Sequence, residues 1–132
     1  MDRNLLWAVM LFGVQLVNYF FLRPLGIYSR FWYADIVLHI LAGIMFGCLW
    51  LWFSRKLTLP REFLYSSIIM SAVLGSFLWE VWEFGGWYVR GFSMPYYIPS
   101  LGDTLSDILA GMVGAIILCL VRLIHSLRVN FK

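Results

Sequence analysis

Six ionisable residues fall in three pairs, each three or four positions apart: Asp35 with His39, Glu80 with Glu83, and Asp103 with Asp107. On a helix that spacing puts both members of a pair on one face. Carboxylates and an imidazole brought together can ligate a divalent metal, and such a mixed nitrogen and oxygen donor set leaves the identity of the metal open. They can also pass a proton between an acid and a base, or meet a charged headgroup. His39, Glu80, Glu83 and Asp107 are the expected metal ligands. Glu80, Glu83 and Asp103 are the expected acids or bases of any reaction. Asp35 with Arg23, Arg30 and Arg90 is the expected binding rim, since guanidinium groups suit phosphate and the acid suits an amine or a bridging cation.

Each pair also has a plainer explanation. Asp103 follows Pro99-Ser100-Leu101-Gly102, which fits the N-cap of a helix, and Thr104 to Asp107 has capping-box spacing. Asp35 suits the positive end of a helix dipole, and a lone His39 suits a packed hydrogen-bonding role. Glu80 and Glu83 resist this treatment. Near a helix C-terminus their charges oppose the macrodipole, and they repel each other across one turn. A shared proton, a cation or one of the three arginines has to offset that.

The elements that must position these groups are membrane helices. The 132-residue chain is 62% hydrophobic and 13% charged, with a mean hydropathy of +0.82. Soluble domains are about 45–50% apolar and roughly a quarter charged. An ordinary soluble globule, a disordered tail and a nucleic-acid-binding domain are excluded, and no nucleic-acid partner is expected. Four uncharged or nearly uncharged stretches, 5–22, 36–53, 63–79 and 104–120, are each long enough to nearly cross a hydrocarbon core of roughly 30 Å. The fold class expected is therefore an all-α membrane protein, a four-transmembrane-helix bundle forming one domain over 1–132. Its helices are expected at about 5–22, 35–53, 63–87 and 104–122. Nothing after Leu22 resembles a small-x-small cleavage site, so the first stretch reads as a retained helix.

Charge orients the bundle. Arg3, Arg55, Lys56, Arg61, Arg122, Arg128 and Lys132 fall with the termini and the middle loop, together with Asp2 and Glu62. Arg23, Arg30 and Arg90 fall on the other side with Asp35, Glu80, Glu83, Asp103 and Asp107. The positive-inside rule then places both termini in the cytoplasm and all three acidic pairs at the outer end. Tyr28, Phe31, Trp32 and Tyr33, with Trp87, Tyr88, Tyr96 and Tyr97, fit an interfacial aromatic belt there. Cys48 and Cys119 fall in the inner halves of their helices, read as small packing residues, and no disulfide is expected.

The acidic pairs continue inward as stripes of small residues: Asp35, His39, Gly43, Gly47; Asp103, Asp107, Gly111, Ala115; and Ala72, Ser76, Glu80. Small residues at four-residue spacing let helices approach closely in lipid, so the acid-bearing faces are the packing faces.

Three segments resemble a known family. Tyr33-Ala34-Asp35-Ile36-Val37-Leu38-His39 resembles the acid-x3-His opening of the second helix in VanZ-like and YjdF-like small membrane proteins. Leu78-Trp79-Glu80-Val81-Trp82-Glu83-Phe84 resembles their glutamate-bearing third helix. Gly102-Asp103-Thr104-Leu105-Ser106-Asp107, leading to Gly114-Ala115, is similar to their final-helix signature. The resemblance runs from about Tyr33 to Ile117, with Gly111 standing where many relatives would carry Asn. It implies four helices and the bacterial inner (plasma) membrane. At the VanZ end it also implies glycopeptide-type antibiotic resistance, which fold-level likeness does not transfer.

Four functions remain open from sequence. The acidic and histidine cluster could bind a lipid or cell-envelope headgroup or a cation. It could be the centre of a metal-dependent membrane enzyme acting on a lipid-linked substrate, with a divalent metal ion as cofactor. It could serve as a proton or cation site for transport, although no ionisable group lies deep in helices two to four. It could be interhelical glue in a structural subunit. Membrane lipids are the expected partners in every case, with homo-oligomerisation a further option.

Overall fold

The computed structural model describes residues 2–31, 33–89 and 100–130, leaving aside the side chains of 28, 29, 129 and 130. Helix α1 spans Arg3–Val17 and runs into a π-helical turn, Asn18–Leu22. A short α2, Ile27–Arg30, precedes α3, Tyr33–Phe53; a 3-10 turn follows, and then come α4, Arg61–Val89, and α5, Leu101–Asn130. Helices α1 (with its π turn), α3, α4 and α5 are each long and apolar enough to cross a membrane. The protein is an all-α, four-helix membrane protein.

Local chemistry sets the ends. The Asp2 carboxylate accepts from the amides of Asn4 (2.9 Å) and Leu5 (3.3 Å), closing the first turn of α1. Gly26, with φ of 68°, supplies the left-handed residue that turns the chain into α2. One capping expectation is corrected. Helix α5 begins at Leu101, and its cap is Ser100, whose hydroxyl accepts from the Asp103 amide at 3.0 Å. Asp103 is thus inside the first turn, where its charge meets the dipole instead of capping the backbone.

Helices α3, α4 and α5 pack against one another, whereas α1 packs chiefly on α3. The contact between α3 and α5 is backbone against backbone. A Cβ on Gly43 would stand 1.9 Å from the carbonyl oxygen of Gly111, and one on Gly114 would stand 2.0 Å from that of Ile40. Only glycine permits this approach, which is how lipid-embedded helices gain contact without a hydrophobic driving force. The stripes of small residues are therefore the packing faces. Toward the terminal end, Leu51, Ile68, Ala72 and Ala115 form a closed apolar core. There the Trp50 indole donates to the Ser67 hydroxyl at 2.8 Å, joining α3 to α4. Phe20, Phe21, Met70, Leu74, Trp82 and Leu109 are exposed, as lipid-facing side chains should be.

Candidate functional site

The glycine contact decides what happens one turn higher. His39 precedes Gly43 by four residues and Asp107 precedes Gly111 by four, so the close approach brings the two side chains face to face. The Nε2 of His39 lies 3.6 Å from Asp107 Oδ2 and 3.7 Å from Asp35 Oδ1, and one donor atom from each of the three lies within 4.8 Å of the others. His39 and Asp107 are buried, and Asp35 is half-buried. Metal–ligand arms of about 2.0–2.2 Å would convert the separations of 3.6–3.7 Å into angles near 120° at an ion for the two pairs that include His39, while a pair at the 4.8 Å bound has to close to about 4.4 Å, a shift that side-chain rotation of the half-buried Asp35 supplies.

The glutamates sit beside this group in different environments. Glu83 pairs with Arg23, which follows the π turn at the end of α1, so the carboxylate is held by the first helix. Glu80 is only 4% exposed; one oxygen accepts from the Thr104 hydroxyl at 3.2 Å, and the other, Oε1, is buried without a hydrogen-bond partner. Asp107 feels the negative charge of Asp35, Asp103, Glu80 and Glu83. Sequence spacing had grouped His39 and Asp107 with Glu80 and Glu83. The structure groups them with Asp35, which sits one turn before His39 on α3, and places the two glutamates in flanking contacts. Asp103 is exposed at the rim. Arg30 is exposed at the end of α2. Arg90, like Trp32, Tyr96 and Tyr97, lies outside the described residues.

A cavity of about 540 Å³ opens beside the group, between α1, α3 and α4. Its acidic end is lined by Arg23, Asp35, His39, Glu83 and Asp103. It then descends past Gln15, Asn18, Ser76 and Trp79 to an apolar stretch reaching Leu5 and Leu49. The Gln15 amide donates to the Leu38 carbonyl at 2.9 Å and so holds α1 against α3. Tyr19 and Trp79 meet edge to face, with ring centroids 6.3 Å apart, and join α1 to α4 near the acidic end. Sequence reasoning gave α1 no part in the site. The available signal was that Gln15 and Asn18 are the strongly polar groups of an otherwise apolar span, three residues apart. Both are buried.

The sequence profile of a family described as predicted membrane proteins, DUF2238, matches residues 5–128. The chain belongs to the DUF2238 family. The match takes in all four spanning helices, so the three acidic pairs and the α1 wall of the cavity lie within the family region. No curated protein and no solved structure matches this DUF2238 chain.

Proposed function

We propose that the chain is a membrane-embedded binding protein for a divalent cation, held by Asp35, His39 and Asp107 at the outer end of the bundle. The observation that carries this reading is the geometry of those three donors, two of them buried and all within 4.8 Å of one another. Charge supports it. Five carboxyl groups gather here, and among the described residues lining the cavity only Arg23 carries a permanent positive charge, already engaged with Glu83. Two carboxylates and a neutral imidazole balance a dication, which removes the cost of burying like charges together. A cation held there and facing the cavity through Asp35 and His39 would present a ligand site to the anionic head of a lipid or envelope component. The VanZ-like and YjdF-like resemblance, and the bacterial inner membrane it implies, agree with that role.

A catalytic reading has one observation in its favour: the unpartnered Oε1 of Glu80, a buried oxygen beside the group that could take a proton from a metal-bound water. The two readings share a first test. Purified protein titrated with Zn²⁺ and with Mn²⁺ should bind one ion per chain. Asp35→Asn, His39→Ala and Asp107→Asn should each lose it, while Glu62→Gln, exposed at the other end, should not. Wild-type protein without a stoichiometric ion, or binding untouched by all three substitutions, would reject the site. Glu80→Gln with full metal occupancy is the variant in which to look for loss of a reaction.

A further inference from the structure

The cavity is long, narrow and two-natured. Along α1 it runs from Leu5 to Asn18 and along α3 from Asp35 to Leu49, a length of about 20 Å at roughly 1.5 Å per residue. That exceeds one leaflet's share of a hydrocarbon core of roughly 30 Å. A volume of about 540 Å³ over that length leaves room for one extended hydrocarbon chain at interior packing density, not two. It is also open sideways. Val9, Phe12 and Leu49 line it and yet are 54%, 50% and 42% exposed, so the apolar part communicates with the lipid phase.

The head of such a ligand is addressed at the acidic end, where Arg23 shares the wall with Asp35 and His39, so a bound dication and a guanidinium would face the same space. One turn lower the wall includes Ser76, whose hydroxyl is turned onto Gly111 of α5 and is closed off from the cavity.

We infer that the cavity binds a single-acyl phospholipid, with its phosphate between the bound cation and Arg23 and its one chain lying between α1 and α3. The placement of the phosphate rests on the cation reading above. The chain slot rests on the cavity alone.

The test uses full-length protein in phosphatidylcholine nanodiscs and a lysophosphatidic acid carrying a diazirine in its acyl chain. Photo-adducts should map to Phe12, Met45 and Leu49, and not to Phe21 or Met70 on the outer surface. Unlabelled palmitoyl lysophosphatidic acid should compete at least ten-fold better than dipalmitoyl phosphatidic acid or farnesyl phosphate. Ala42→Phe, which fills the slot, should abolish labelling. Val9→Trp, at the exposed portal, should do so with less burden on folding. Labelling spread over the lipid-facing surface, equal competition by the diacyl or prenyl lipid, or full labelling of both filled variants would overturn the inference. Metal content measured on the same samples separates the two claims. Specific labelling without metal would leave the slot and remove the cation site, and metal without specific labelling would do the reverse.

Discussion

Gly43→Ala touches none of the proposed ligands and should nevertheless dismantle the site. The new Cβ would start 1.9 Å from the Gly111 carbonyl oxygen, and real Cβ atoms essentially never come within 3.0 Å of a neighbour. The obstacle is backbone, so α3 and α5 must separate by about 1.1 Å at that level. Carried one turn up, the same displacement takes the His39–Asp107 separation from 3.6 Å to about 4.7 Å. Two ligands with arms of about 2.0–2.2 Å can be no more than about 4.4 Å apart even when diametrically opposed on one ion. The His39–Asp107 pair, which starts within that limit, is then carried past it although both ligands are present. Overpacking itself should cost about 1–3 kcal/mol in the metal-free protein. The assay is thermal unfolding in detergent with and without Zn²⁺ at a hundred times the wild-type dissociation constant. That ratio stabilises a binding protein by about 2.7 kcal/mol. Wild type should show the increment; Gly43→Ala should be less stable without metal and gain almost nothing from it. Gly13→Ala, where the added Cβ meets nothing within 4 Å, is the control and should retain the full increment. An intact metal increment in Gly43→Ala would refute the claim that the glycine contact sets the geometry of the ligands.

Arg23→Met should destabilise the protein by about 3–5 kcal/mol, because it strands the Glu83 carboxylate in a nearly buried position. Adding Glu83→Leu should recover most of that loss, and a double-mutant cycle followed by detergent unfolding measures the coupling. At the other end, the slight burial of the Asp2 carboxyl raises its pKa, but the amides of Leu5 and Asn4 and the charge of Arg55 outweigh this and hold it below its ordinary 3.8. A lowered folded-state value means that its contribution is present above about pH 3.8 and is lost as pH falls through the folded value. Asp2→Asn keeps a capping side chain and should flatten that acid limb of the stability curve; an unchanged acid limb would count against the assignment.

The four spans were legible because apolar runs of membrane length have few alternatives. The stripes of small residues were legible for the same reason, since Gly43, Gly47, Gly111 and Ala115 share faces with the acids at a four-residue step. That the two glutamates stand apart from His39 was not legible. Spacing fixes the face of one helix, but the rotation of α4 relative to α3 and α5 is set by contacts such as Gly75 against the Phe46 ring and Trp50 to Ser67. That rotation gives Glu80 to Thr104 and Glu83 to Arg23, and leaves Asp35 to complete the group. The cavity was invisible because it depends on α1 standing off α4. No periodicity within either helix encodes that separation.

The attachment of α1 has a consequence for how the chain comes apart. Helices α3 and α5 are locked together by glycine backbones and α4 packs on both, while the first packs chiefly on α3 and is further held by Gln15 to Leu38, Arg23 to Glu83, Asp2 to Arg55 and the Tyr19–Trp79 ring contact. Cooperativity therefore divides unevenly. Release of α1 would break none of the glycine contacts between α3 and α5, so a sub-global opening in which one helix swings away would leave the other three in register. Such an opening would widen the flank of the cavity without disturbing the His39–Asp107 contact, so turnover of whatever lies in the slot need not unfold the bundle that holds it.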